Sequence, residues 1–232
     1  MISGFNANTY LVGDIHGCLK ELDALLKKLP RDAQLIFLGD YIDRGPDSKG
    51  CIERLMQEKH RSIYLRGNHE QMLLDYFFDQ ENPDTMIWLR RVNGGPQTLE
   101  SYGLEPDCQF TDLPASHRDF IETLPLYYEG ADFIAVHAGV NVDVPRLAEQ
   151  APNDLLCIRM SWISNEAAWP GKHVVFGHTP ARYLYGRERQ HEIFRGKRST
   201  GIDTGCVYGG SLTALNPATR EIIQVAATRP YA

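Results

Sequence analysis

Short apolar runs alternate with amphipathic segments along the first third of the chain. Residues 9–12, 35–38 and 62–65 are rich in aliphatic and aromatic side chains, and their length is typical of buried strands. Each run is followed by a glycine-containing loop and then by apolar residues at helical spacing, such as Leu22 and Leu26. Three successive strand–loop–helix units predict right-handed crossovers and a parallel or mixed sheet.

The second half of the chain is richer in strands. Residues 133–136 and 174–176 are apolar runs, and each leads into a short segment that contains glycine and histidine. Residues 212–215 and 222–225 predict a terminal hairpin around an Asn-Pro pair.

Residues 80–125 have a different pattern, with short helices predicted over 86–92, 98–103 and 118–124. We interpret this region as a helical insertion that caps or flanks a crevice. The whole pattern predicts an α/β (α+β) fold in which residues 1–232 form one domain of two packed sheets flanked by helices.

Polar side chains follow each of the first three predicted strands. Because the carboxyl ends of neighbouring parallel strands meet at one edge of a sheet, we expect these side chains to share one crevice. They are Asp14, His16, Asp40, Asp43, Arg44, Asn68 and His69.

The strand ends also carry a set of potential metal ligands. Carboxylate and amide oxygens mixed with imidazoles suit a dication such as Mn²⁺, Fe²⁺ or Zn²⁺. Six ligands exceed the need of one catalytic ion but suit two ions that share a carboxylate, for which Asp40 is the natural bridge. We assign Asp14, His16 and Asp40 to one ion, and Asp40, Asn68, His137 and His178 to the other.

Each of these residues also has a simpler explanation. An Asp before Gly is commonly a turn residue, Asn68 could be a helix N-cap, and a single histidine such as His137 could be a hydrogen-bonded core residue. These explanations do not account for ligand-type residues beside glycine at five separate strand ends. The remaining histidines lack that setting and are expected to be surface or structural residues: His60, His117, His173 and His191.

Composition narrows the function classes. The net charge is −6 with no sustained basic run, which argues against a nucleic-acid-binding surface. The five cysteines form no Cys-x-x-Cys pair, so we expect reduced thiols in a cytoplasmic protein. Residues 1–6 do not resemble a secretory signal, and no apolar run approaches the roughly 20 residues that span a bilayer.

Five segments carry a resemblance to a known family. Residues 13–17, 39–45 and 67–70 are similar to its first three motifs, and residues 137–139 and 177–179 resemble its two later histidine motifs. The family is the phosphoprotein phosphatase family within the calcineurin-like metallophosphoesterases, and the chain length resembles its bacterial and phage members.

The resemblance implies a calcineurin-like four-layer αββα sandwich with two mixed sheets. It also implies a dinuclear centre of divalent ions, with Mn²⁺ expected first and Fe²⁺ or Zn²⁺ as alternatives. The implied ligands are the same six residues. Asp203 occupies the position of an acidic residue beside the family's metal centre.

The resemblance further implies roles for polar residues around the metals. His69 would be the general acid, oriented by Asp43. Arg44 and Arg159 would bind the substrate phosphate, although Arg182 competes with Arg159 for the second position.

The expected function is phosphomonoester hydrolysis by in-line attack of a metal-activated water on phosphorus. We expect a serine/threonine protein phosphatase acting on a phosphoprotein or phosphopeptide, because the Asp43-Arg44 pair and Glu70 are intact. The alternative is a dinucleoside polyphosphate hydrolase that acts on diadenosine tetraphosphate. A non-catalytic scaffold is the other rival, but it usually lacks a ligand or the acid, and none is missing here.

Overall fold

The computed structural model describes residues 8–58, 61–79 and 81–232, so the predictions for residues 1–6 and His60 lie outside the described residues. Within these ranges the strands form two five-stranded sheets. The strands are β1 (Thr9–Val12), β2 (Gln34–Phe37), β3 (Ser62–Tyr64), β4 (Tyr127–Glu129), β5 (Phe133–Val136), β6 (His173–Phe176), β7 (Phe194–Arg195), β8 (Ser199–Gly201), β9 (Ser211–Leu215) and β10 (Ile222–Ala226). The α-helices are α1 (Leu19–Lys28), α2 (Ser48–Gln57), α3 (Asn68–Phe78), α4 (Gly95–Tyr102), α5 (Ala115–Glu122), α6 (Pro152–Cys157), α7 (Met160–Ile163) and α8 (Ala181–Tyr185).

Both sheets are mixed. The first has the order β10-β9-β1-β2-β3, in which β1, β2 and β3 are parallel and the predicted β9–β10 hairpin is antiparallel. The second has the order β4-β5-β6-β8-β7, with β5, β6 and β8 parallel. Short strands joined by helices therefore place several loops at the carboxyl ends of parallel strands, as the sequence predicted.

Successive side chains of β1 and β2 belong to two different apolar clusters, one on each face of the first sheet. Leu11 and Ile36 pack in the core that they share with Val175 of the second sheet. Their neighbours Val12 and Phe37 lie in the cluster on the other face, which also contains buried residues of α1 and α2. Since side chains alternate between the two faces of a strand, each sheet buries both faces. The predicted αββα sandwich is confirmed.

The insertion differs in detail from its prediction. The helix expected over residues 86–92 is a 3₁₀ helix at Pro83–Leu89, opened by a proline at its first turn. Such tight turns commonly serve as connectors. The short helices α4 and α5 follow it. Among the described residues, no helix is long and apolar enough to cross a membrane.

Candidate metal centre

The loops at the strand ends hold several non-glycine residues in the left-handed backbone region. Asp40 has a φ of 54°, and Asp43 and Arg44 follow with 73° and 68°. His16 and His178 have φ values of 47° and 63°. Conformations of this kind cost free energy and persist where the surrounding structure fixes them, which is common at functional sites.

Two motif glycines allow the loops to approach each other. Gly39 has a φ of 104°, and a Cβ there would lie 2.5 Å from the backbone nitrogen of Gly67. A Cβ on Gly67 would lie 2.1 Å from Oδ1 of Asp40. The glycines of the second and third motifs are therefore needed for close contact between their loops.

Asp40 joins two clusters of potential ligands. One consists of His16, Asp40 and His69, and the other of Asp40, His137 and His178. Within each cluster the ligand atoms lie within 4.8 Å of one another. Oδ2 of Asp40 is 3.4 Å from Nε2 of His16, and Oδ1 is 3.4 Å from Nε2 of His137. Asp40 is thus the residue common to the two clusters, and its role as a bridge between two ions stays a prediction.

In the second cluster, hydrogen bonds to backbone carbonyls leave one ring nitrogen of each histidine without a proton. Nδ1 of His137 lies 2.8 Å from the carbonyl of Leu38, so this nitrogen carries the proton and Nε2 does not. Nε2 of His178 likewise faces the carbonyl of Cys157 at 3.3 Å. The free nitrogens of the two rings are 3.1 Å apart, and Oδ1 of Asn68 lies 3.0 Å from Nε2 of His137.

The unprotonated ring nitrogens of His137 and His178 and the amide oxygen of Asn68 are all acceptors. They converge on one another and on the carboxylate of Asp40. A cation among them would relieve their mutual repulsion, and carbonyl partners on the outer nitrogens are typical of metal-binding histidines. His16 has the same arrangement, since its Nδ1 lies 2.9 Å from the carbonyl of Ile42. The residues present therefore fit a centre of divalent ions.

The site is buried, and this shifts its pKa values. Burial lowers the pKa of His16, His137 and His178, which favours the neutral imidazole that binds metals. Burial, reinforced by Asp203 and Asp40, raises the pKa of Asp14, and burial raises the pKa of Asp203 to about 6. A bound dication would reverse the cost of ionising these carboxylates.

Asp14 lies at the site but outside both clusters. Its Oδ1 and Oδ2 accept the backbone N–H of His178 at 3.1 and 3.0 Å. Its carboxylate thus ties the first motif to the last. Its assignment to one ion with His16 and Asp40 stays a prediction.

The second motif also brings the predicted acid and its partner together. Nδ1 of His69 lies 2.7 Å from Oδ2 of Asp43, and both side chains are almost completely buried. Glu70 supports the loop because its carboxylate accepts the backbone N–H groups of Asp40, Tyr41 and Gly67 at 2.8–2.9 Å. Asn68 is the first residue of α3, so Gly67 and not Asn68 is the helix N-cap.

The predicted phosphate-binding arginines lie on two sides of the centre. Nη1 of Arg44 donates to Nε2 of His16 at 2.7 Å, and Nη1 of Arg159 donates to the carbonyl of His178 at 2.7 Å. Arg182 lies over the ring of Tyr208 at 4.9 Å, and Arg44 lies over the same ring at 5.7 Å.

A comparison of the sequence with family models identifies the family of the chain. The family model described as calcineurin-like phosphoesterase matches residues 7–203, which is most of the chain. The chain belongs to the calcineurin-like phosphoesterase family.

Two kinds of name occur among the relatives to which this phosphoesterase is similar. The asymmetrical bis(5'-nucleosyl)-tetraphosphatase PrpE of Geobacillus sp. (strain WCH70) is 29% identical to this chain. The match covers 95% of this chain and 95% of that protein. Serine/threonine-protein phosphatase 1 of Salmonella typhimurium is 32% identical, over 89% of this chain and 90% of its own. The resemblance to the phosphoprotein phosphatase group is thereby confirmed.

The fold of the phosphoesterase is also found in solved structures. One that is named as a candidate diadenosine tetraphosphatase has a TM-score of 0.69 at 21% identity, and the match covers 97% of this chain and 96% of that one. At this identity the likeness concerns the fold.

Two polar residues of the phosphoesterase site were missed by the sequence analysis. The indole N–H of Trp88 donates to Oδ2 of Asp43 at 2.8 Å, and the hydroxyl of Thr98 donates to Oδ1 at 2.6 Å. Both residues belong to the insertion. A tryptophan beside an Asn-Gly-Gly turn was the available signal, because a buried indole N–H needs an acceptor.

The other described histidines have structural partners. His117 lies 2.8 Å from the hydroxyl of Tyr102, and His173 lies 2.9 Å from that of Thr200. His191 contacts the hydroxyl of Ser211 at 2.8 Å. Their side chains make the kind of contact expected of structural residues.

Proposed function

We propose that this phosphoesterase hydrolyses dinucleoside polyphosphates asymmetrically, with diadenosine tetraphosphate as the model substrate. The observation that carries this proposal is the match to a bis(5'-nucleosyl)-tetraphosphatase over 95% of both chains. The serine/threonine phosphatase expected from sequence is therefore the second candidate. In the proposed reaction, the oxygen of water joins one phosphorus, the anhydride bond breaks, and the bridging oxygen leaves with ATP or AMP.

The residues of the site have complementary roles in this proposal. Two divalent ions, Mn²⁺ in our proposal, would activate water and offset charge on the phosphoryl oxygens. Arg44 and Arg159 hold those oxygens through charged N–H groups. His69 gives a proton to the departing oxygen, and Asp43 keeps its ring oriented through Nδ1. The residues that would hold the ions are Asp14, His16, Asp40, Asn68, His137 and His178.

Protein phosphatase activity is favoured by a separate observation. Serine alkoxide is a poor leaving group, so its departure depends strongly on a general acid such as His69 held by Asp43 at 2.7 Å. The relative named serine/threonine-protein phosphatase 1 is also 32% identical. A phosphopeptide is therefore the substrate to compare.

The deciding experiment measures kcat/KM for both substrates on protein loaded with Mn²⁺. We expect diadenosine tetraphosphate to be the better substrate and to yield equal amounts of AMP and ATP. A higher kcat/KM for a phosphoserine or phosphothreonine peptide would assign the protein phosphatase activity instead. Formation of ADP alone would contradict asymmetrical cleavage.

We also propose a location and a range of partners for the enzyme. The described cysteines are free thiols and the net charge is −6. These features support a proposal of a cytoplasmic enzyme that binds neither nucleic acid nor membrane.

A further inference from the structure

A cavity of about 400 Å³ lies beside Arg44, where the second-motif loop meets the insertion and the end of the chain. Its size is within the range of small-molecule sites, roughly 300–1,000 Å³. The residues that give it its chemistry are Arg44, Arg91, Gln97, Glu100, Arg229 and Tyr231.

The cavity is basic in a chain that is acidic as a whole. Three arginines, Arg44, Arg91 and Arg229, line the cavity with a single carboxylate, that of Glu100, whereas the net charge of the chain is −6. Arg91 and Arg229 are exposed, so their guanidinium groups can reach a ligand. A local excess of positive charge attracts anions to this cavity despite the overall charge.

Arg44 links the cavity to the metal centre. Its Nη1 contacts His16 at 2.7 Å, while its side chain also lines the cavity. A ligand with one phosphate at the metal centre would extend past Arg44 to reach Arg91 and Arg229. A chain of several phosphates suits this path better than a single phosphomonoester does.

The rest of the cavity wall suits a nucleoside. Oε1 of Gln97 is buried and has no hydrogen-bond donor among the residues that the structure describes. A rotation of the Gln97 amide toward the cavity would let this oxygen accept an amino group of a base or a ribose hydroxyl. The ring of Tyr231 is partly buried and has the guanidinium of Arg229 over one face, 5.4 Å from the ring centroid. Together the guanidinium and the ring offer flat surfaces on which a base can stack.

We propose that this cavity binds the nucleotide half of the substrate that is remote from the reacting phosphorus. Arg91 and Arg229 contact its phosphates, and Gln97 and Tyr231 contact its nucleoside. This inference rests on the proposed function, since a phosphopeptide has no second nucleotide.

The test uses the double variant Arg91→Ala/Arg229→Ala, which leaves the metal ligands, His69 and Arg44 in place. We expect KM for diadenosine tetraphosphate to rise about tenfold with little change in kcat, because two charged contacts are lost. Hydrolysis of p-nitrophenyl phosphate, which is too short to reach the cavity, is expected to stay unchanged.

A matched control keeps the net charge equal. Arg31 and Arg220 are exposed and lie in the loops that precede β2 and β10, at the amino ends of these strands. The variant Arg31→Ala/Arg220→Ala removes the same two charges and is expected to behave like the wild type. An equal rise in KM in this control would mean that overall charge, not the cavity, binds the nucleotide.

Inhibition by ATP separates failure of this inference from failure of the proposed function. We expect ATP to inhibit p-nitrophenyl phosphate hydrolysis less in the Arg91→Ala/Arg229→Ala variant than in the wild type. If the wild type does not cleave diadenosine tetraphosphate but shows this difference, the function is wrong and the nucleotide cavity stands. If the variant matches the wild type in both assays, or loses both substrates equally, the cavity assignment is wrong.

Discussion

Trp88 donates its indole N–H to the same oxygen of Asp43 that contacts His69. The second oxygen of Asp43 accepts the hydroxyl of Thr98 at 2.6 Å. Both oxygens are therefore fixed by side chains of the insertion. The insertion expected to cap or flank the crevice thus also orients the partner of the predicted general acid.

The first prediction concerns Trp88→Phe. This change keeps most of the ring but removes the N–H donor, so Asp43 holds His69 less firmly. Loss of a residue that orients a catalytic side chain commonly costs about 10–100-fold in activity, and we expect kcat to fall near the lower value. The measurement is kcat for phenyl phosphate and for p-nitrophenyl phosphate.

Leaving-group dependence distinguishes this role from a general loss of packing. Phenyl phosphate, with the poorer leaving group, should lose more activity than p-nitrophenyl phosphate. Trp169→Phe is the control, because Trp169 is also buried but donates to the carbonyl of Lys172. Equal losses for the two substrates in Trp88→Phe would argue that Trp88 does not act through His69.

The second prediction concerns Asp40, the residue common to both ligand clusters. The wild type should bind about two divalent ions per chain, as a dinuclear centre requires. Asp40→Asn should reduce binding of both ions, whereas His178→Gln should mainly affect one. Metal content after dialysis against Mn²⁺, measured by atomic emission, gives the stoichiometry.

His173→Gln is the control for the Asp40 and His178 variants. His173 contacts Thr200 outside the two ligand clusters, so this change should leave the metal content unchanged. Full metal content in Asp40→Asn would contradict a shared carboxylate. Chelation of the wild type should abolish hydrolysis, and added Mn²⁺ should restore it.

The third prediction concerns Gly94, which lies against the backbone of Arg44. Its φ is 93°, and a Cβ there would be 2.0 Å from the nitrogen of Arg44. The carbonyl of Val92 in the same turn accepts Nε of Arg44 at 3.4 Å. Gly94→Ala should displace Arg44 and raise KM for every phosphate substrate, with a loss of about 1–3 kcal/mol in stability.

Gly103→Ala provides a close comparison for that change. Gly103 also has a positive φ, 70°, but a Cβ there would meet no atom within 4 Å. The variant Gly103→Ala should therefore be less stable than the wild type, with no change in KM. If Gly94→Ala and Gly103→Ala have the same KM in steady-state assays, the turn does not position Arg44.

The sequence could place the predicted ligands at one edge of the fold because each of them follows a strand in its own motif. Asp40, His137 and His178 come together since the carboxyl ends of parallel strands in both sheets meet at one edge. Trp88 and Thr98 could not be placed in the same way. Their partner Asp43 is distant along the chain, and the Asn-Gly-Gly turn that brings them to it has no strand to fix its position.

The last prediction decides between the two candidates for the second phosphate-binding arginine. Arg159 donates to the carbonyl of His178, a predicted ligand, whereas Arg182 lies over the ring of Tyr208. Removing a charged donor to the transferred phosphoryl group commonly lowers the rate by about 10²–10³-fold, and we expect this loss in Arg159→Ala. Arg182→Ala should lose much less, because a cation held over an aromatic ring beside the site contributes mainly to binding. The assay is kcat/KM for p-nitrophenyl phosphate together with inhibition by inorganic phosphate. A larger loss in Arg182→Ala would transfer the role to Arg182, since both side chains carry the same charge and only their placement differs.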